Sequence, residues 1–168
     1  IQEDWFRFVD MAARDAVGYG STSGENRQVY VNDAVGVQVK RCYLEQSNSY
    51  CDGTAGTASG DILRFKTSTG ATGTQQGRIE NCILVGGGRR GNRGATSGIR
   101  TEFGTTNVKA NTIVDVVGHD ATSGTGFGRG INMGFSTGEC VGNLITRSLV
   151  LTATTNNFFD YGSPSSAS

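Results

Sequence analysis

Apolar and polar residues alternate with a period of two in short runs along the chain, and the runs take two recurring forms. The first form is seen in Val39-Lys40-Arg41-Cys42-Tyr43-Leu44, Ile79-Glu80-Asn81-Cys82-Ile83-Leu84, Val108-Lys109-Ala110-Asn111-Thr112-Ile113 and Cys140-Val141-Gly142-Asn143-Leu144-Ile145. In each, an apolar residue is followed three positions later by Cys or Asn, and two positions after that by Leu or Ile. A fainter copy fits Phe6, Val9 and Met11. The second form is Ser59-Gly60-Asp61-Ile62-Leu63-Arg64-Phe65, which aligns with Ser97-Gly98-Ile99-Arg100-Thr101-Glu102-Phe103 and continues in Gly130-Ile131-Asn132-Met133-Gly134-Phe135. Period-two alternation with many β-branched residues predicts strands rather than helix. The one run of helix-forming composition, Met11 to Val17, is too short, and Gly18 stops it.

Copies of the first form begin at 6, 39, 79, 108 and 140, so the intervals are 33, 40, 29 and 32. Ile99 to Val108 and Ile131 to Cys140 both span nine residues. A constant strand frame interrupted by insertions of varying length is the pattern of a stacked repeat. Each strand then lies on its counterpart one turn away, about 4.8 Å along the axis. This stacking predicts the contacts Ile99–Ile131, Phe103–Phe135 and Ile113–Ile145. It also predicts a side-chain amide ladder from Asn111 to Asn143, with Cys42 and Cys82 extending the same column.

At the coils spanning 98 to 113 and 130 to 145 the chain resembles the right-handed parallel β-helix superfamily, the pectate-lyase-like solenoids. The resemblance implies an all-β, right-handed parallel β-helix (solenoid) of about five coils with Gly-rich corner loops. Residues 1–168 then form a single β-helix domain.

Composition bounds the partners. The 15 basic residues balance the 15 acidic ones, so no overall field draws the protein to nucleic acid or an anionic membrane. No apolar run approaches the ~18 residues of a bilayer span. Glycine occurs 26 times and proline once, which means frequent tight turns without a collagen or proline-rich pattern. Four cysteines in 168 residues are too sparse for a disulfide scaffold; at about 4.8 Å per coil a stacked Cys42–Cys82 disulfide is geometrically allowed, and free thiols are the expectation. Cys42, Cys82 and Cys140 are expected to be buried, and Cys51 to be exposed in a polar loop.

The segment Gly86-Gly87-Gly88-Arg89-Arg90-Gly91 matches the G-x-G-x-x-G pattern. A phosphate-cradling loop needs a helix N-terminus behind it, and Asn92-Arg93-Gly94-Ala95-Thr96-Ser97-Gly98 has no helical period. The segment is therefore read as a corner loop. The loops from Gly86 to Gly98 and from Gly118 to Gly130 are expected to leave the same corner of successive coils. Arg89, Arg90, Arg93, His119, Asp120 and Arg129 would then share one rim, offering guanidinium, imidazole and carboxylate to sugar hydroxyls or acidic sugars. No set of ligands for a metal is recognised, and no cofactor is expected.

Two function classes follow. The first is a structural or adhesive module of a virion, secreted or cell-surface protein, with carbohydrate as a candidate ligand, as the resemblance to phage tail-spike and surface proteins of this fold implies. No amphipathic helix is available to cover the ends. The absence of an initiating Met fits a piece of a larger protein. Further chain, a homo-oligomer or a larger assembly is expected to cap the solenoid, with an extracellular or virion-surface location. The alternative is a polysaccharide lyase or glycoside hydrolase, which requires clustered acids with Arg or Lys on one face. The outward positions Arg64, Arg100, Glu102 and Asn132 read more readily as a salt-bridge column, with Arg64 near Glu102.

Overall fold

Backbone pairing sorts the strands into three five-stranded sheets, and every pairing in them is parallel. The structure, a computed structural model, describes residues 5–14, 28–46, 61–66, 76–86, 96–102, 104–118, 128–134, 136–147, 149–150 and 159–160. The chain visits the sheets in one fixed rotation, five times over. The first pass contributes β1 (Arg7–Val9), β2 (Ala12–Arg14) and β3 (Val29–Asn32). The second contributes β4 (Gln38–Lys40), β5 (Tyr43–Gln46) and β6 (Leu63–Lys66), and the third β7 (Gly77–Glu80), β8 (Ile83–Gly86) and β9 (Thr96–Glu102). The fourth holds β10 (Thr106–Lys109), β11 (Thr112–Val114), β12 (Val117–Gly118) and β13 (Gly128–Gly134). The fifth holds β14 (Cys140–Val141), β15 (Leu144–Thr146), β16 (Leu149–Val150) and β17 (Phe159–Asp160). The first sheet runs β1-β4-β7-β10-β14, the second β2-β5-β8-β11-β15 and the third β3-β6-β9-β13-β17. A small fourth pairing joins β12 to β16. The protein is thus all-β with parallel sheets.

The alternation read from the sequence becomes an inside and an outside. Phe8, Val39, Ile79, Val108 and Cys140 are in register across the first sheet, as are Ala13, Leu44, Leu84, Ile113 and Ile145 across the second. The third sheet adds Val29, Leu63, Ile99 and Ile131, and beside them Val31, Phe65, Thr101 and Met133. Residues in the middle of these columns are almost fully buried, whereas Phe8, Ala13, Cys140 and Ile145 at the column ends are only partly so. Each fully buried Leu or Ile contributes roughly 1.5–3 kcal/mol of apolar transfer, so the stack is stabilised chiefly at its centre.

One corner is built identically on every pass. Between the first and second sheets, Asp10, Arg41, Asn81, Ala110 and Gly142 hold φ values of 57°, 50°, 55°, 53° and 65°. This left-handed conformation turns the chain sharply, and it is unfavourable for residues other than Gly, Asn and Asp. The next pass compensates: the backbone N–H groups of Asp10, Arg41, Asn81 and Ala110 donate to the carbonyls of Lys40, Glu80, Lys109 and Val141.

Close packing across the interior explains two glycines. A Cβ on Gly98 would lie 2.5 Å from Ile113 Cγ2 and 2.7 Å from the Gly130 carbonyl, and one on Gly130 would lie 2.5 Å from Ile145 Cγ2. In the preceding pass the same place, one residue before the Leu63–Ile99 pair, holds Ile62, fully buried.

Register corrects several expectations. The first-sheet strand of the first pass aligns Phe8, not Phe6, with Val39, so the copy is Phe8, Met11 and Ala13. The left-handed corner at Asp10 fixes this choice. In the second form, Leu63 pairs with Ile99 and Phe65 with Thr101, two residues away from the alignment of Ser59 on Ser97. Shared Ser-Gly letters yield here to apolar packing. A third-sheet strand in the first pass, β3, and another in the fifth, β17, had no counterpart in the sequence reading. The contacts Ile99–Ile131, Ile113–Ile145 and Val108–Cys140 hold as expected. Phe103 and Phe135 lie outside the described residues.

Candidate functional site

The column of Cys and Asn in the first form is a hydrogen-bonded relay through the interior. Each member donates to the carbonyl of the inward first-sheet residue one pass earlier: Cys42 Sγ to Phe8 at 3.5 Å, Cys82 Sγ to Val39 at 3.5 Å, Asn111 Nδ2 to Ile79 at 3.0 Å, and Asn143 Nδ2 to Val108 at 2.9 Å. Each asparagine also accepts the backbone N–H of its predecessor in the column: Cys82 N donates to Asn111 Oδ1 at 2.9 Å, and Asn111 N to Asn143 Oδ1 at 3.0 Å. The amides bond directly as well, Asn111 Nδ2 donating to Asn143 Oδ1 at 2.9 Å. Cys and Asn share this column because both couple an acceptor to a donor over a short side chain. Burial pushes the Cys82 thiol up from 9.0 to about 11, while its backbone hydrogen bond with Cys42 acts in the opposite direction. Cys42, Cys82 and Cys140 are free, the first two buried. Cys140, expected to be buried, is half-buried at the end of its column among the described residues.

Outward positions of the third sheet carry the densest charge among the described residues. Tyr30, Arg64, Arg100 and Asn132 form one column in register. Glu102 is clamped between two guanidiniums: Arg64 Nη2 donates to its Oε2 at 2.8 Å and Arg64 Nε at 3.2 Å, while Arg100 pairs with Oε1. Asp61, fully buried, lies 3.7 Å from Arg64 Nη1 and 3.8 Å from Arg100 Nη1. Two acids and two arginines thus neutralise one another on a face where Arg64 is only 5% exposed and Asn132 only 6%. The Arg64–Glu102 contact was legible from the sequence, although Arg64 is in direct register with Arg100 and meets Glu102 diagonally. Asp61 was not: it precedes its strand and reaches the cluster from the side.

Elsewhere the pairing also runs between successive passes. Arg41 binds Asp10 through two bonds of 2.7 Å, which hold the Asp10 carboxyl below the usual carboxylate range and raise the guanidinium in turn. Lys40 meets Glu80 at 2.9 Å, Arg147 meets Asp115 at 2.8 Å, and Lys109 pairs with Glu139, whose carboxyl is lowered by that hydrogen bond.

The expected rim lies largely beyond view. Arg89, Arg90, Arg93, His119 and Asp120 are outside the described residues, as is Cys51. Arg129 is described, and it is not a loop residue: β13 begins at Gly128, and Arg129 lies within it, in register with Ser97. The loop boundaries shift accordingly, since Gly86 stands opposite the position of Asp115 rather than Gly118. Among the described residues, no three His, Cys, Asp or Glu side chains gather as a metal site, and no helix is long and apolar enough to cross a membrane. Comparison with models of protein families, with curated proteins and with solved structures finds no match for this chain.

Proposed function

We propose that the chain is a right-handed parallel β-helix of five coils that serves as a structural, adhesive module of a larger surface, secreted or virion assembly. The rotation through three parallel sheets supports the solenoid, and the strong right-handed preference of parallel crossovers supports its hand. A stack of five strands at about 4.8 Å makes a rod roughly 24 Å long. The observation that carries the functional reading is the use of charge. Acids and bases on the outward faces bind one another between neighbouring coils, from Asp10–Arg41 to Asp115–Arg147. Such ladders tie coil to coil and engage most of the charged side chains among the described residues.

One observation favours a second reading, a polysaccharide lyase or glycoside hydrolase: Asp61 and Glu102 share a face with Arg64 and Arg100. A glycan-array screen coupled to assays for reducing ends and unsaturated products separates the two. The module is expected to bind glycans, if any, without releasing product. Binding to an acidic glycan should weaken and lose salt sensitivity in Arg89→Ala/Arg90→Ala. Product release that disappears in Glu102→Gln or Asp61→Asn would overturn the structural reading in favour of the enzyme.

A further inference from the structure

The two ends of the stack differ from its middle and fit each other. Of the large apolar side chains that stand exposed among the described residues, Trp5, Phe6 and Met11 lie on the first pass and Val141 and Leu144 on the last, with Ile83 the one exception. Among the described residues, the outer edges of β1 and β2 at one end, and of β14 and β15 at the other, have no strand beside them in their sheets. Open parallel edges over a partly exposed core call for a partner.

We propose that the partner is a second copy of this chain, docked head to tail so that the first coil of one copy continues the last coil of the other. This rests on the parallel β-helix reading above. Carrying the observed register one step beyond the last coil sets Phe8 of the incoming copy over Cys140, as Val39, Ile79 and Val108 already stand in that column. The same step sets Arg7 over Glu139. Both are exposed and opposite in charge, and Glu139 already reaches towards Lys109 from the pass before. It sets Val9 over Val141, covering an exposed apolar side chain with a half-buried one.

Size is complementary too. Ala12 meets Leu144 and Ala13 meets Ile145, small against large, while at the wall Phe8 meets the smaller Cys140. The backbone also continues: Val108 N donates to Glu139 O at 2.8 Å and Ala110 N to Val141 O at 3.0 Å. One pass further on, the N–H groups of Cys140 and Gly142 face the carbonyls of Arg7 and Val9 of the next copy. Because the two surfaces are different the contact is heterologous, and because they face opposite ways along the stacking axis its repetition does not close, so copies add in a line.

The test uses the full chain in sedimentation velocity across a concentration series, with circular dichroism melting as the control for folding. The wild type is expected to form a ladder of linear oligomers that grows with concentration. Arg7→Glu alone and Glu139→Arg alone should each weaken association by about tenfold or more, through like charges brought face to face. An equimolar mixture of the two variants should recover it, since every junction between unlike variants again sets a carboxylate against a guanidinium. A chain that stays monomeric while melting cooperatively overturns the end-to-end contact and leaves the β-helix reading intact. Oligomers limited to dimers, or a mixture that fails to recover, also overturn it, because a two-fold contact joins like ends.

Discussion

Replacing Asn111 by alanine removes the centre of the interior relay, and the structure sets the expected loss. The side chain accepts the Cys82 backbone N–H at 2.9 Å and donates to the Ile79 carbonyl at 3.0 Å, and both of those residues are almost fully buried. Alanine leaves one buried donor and one buried acceptor without these partners. At about 1–3 kcal/mol for each orphaned group, Asn111→Ala should destabilise the protein by roughly 2–6 kcal/mol. Asn143 bonds partners on residues just as buried, Asn111 and Val108, but its own side chain is half-buried, so its removal opens them to water and Asn143→Ala should lose less, about 1 kcal/mol. Urea unfolding at unchanged m-value reads both numbers from the midpoints. An Asn143→Ala loss equal to or larger than that of Asn111→Ala would refute the argument that burial, rather than amide-to-amide bonding, sets the strength of the relay.

Three further outcomes are expected. Thr101 lies in register between Phe65 and Met133, fully buried, with no partner for its hydroxyl; Thr101→Val should therefore stabilise the fold by about 1 kcal/mol in the same urea assay, and a loss of stability would argue against a dry site. Ala110 occupies the left-handed corner at φ 53°, so Ala110→Gly should raise the melting temperature, by relief of about 1 kcal/mol of backbone strain, whereas the same change in an ordinary strand lowers it. Cys82 keeps its proton to about pH 11 when folded, against 9.0 ordinarily; between those values the unfolded chain releases a proton that the folded one retains, so stability should fall as pH rises through that window, and less steeply in Cys82→Ala.

The sequence displayed the spacing of the strands more clearly than their register. Repeats built on Val39, Ile79, Val108 and Cys140 were legible because each couples an apolar residue to a relay member at fixed distance, and that distance is set by a corner two residues long. The third sheet was harder to read. Its approach position holds Ile62 in one pass and Gly98 or Gly130 in others, where Ile113 and Ile145 leave no room for a Cβ, so the letters differ at one structural position. A glycine required by a side chain on another sheet is invisible to an alignment that compares one position at a time. The first pass was displaced for a related reason: Ala13 stands where other passes have Leu or Ile, and an end position tolerates the smaller side chain. Asp61 escaped notice because its place in the charged cluster depends on how the chain enters β6, not on alternation.

The corner between the first and second sheets is bridged by Asp10-Met11, Arg41-Cys42, Asn81-Cys82, Ala110-Asn111 and Gly142-Asn143, the same length every time. All variation in the interval from one pass to the next therefore falls at the other two corners. That division gives the protein a spine and a margin. The spine cannot accept a single inserted residue, because one extra position would turn the relay outward and reverse the facing of the strand that follows. The margin can lengthen, shorten or exchange its loops at the modest entropic cost of loop closure. New binding surfaces can be acquired along that margin while the column of Cys and Asn behind it keeps count.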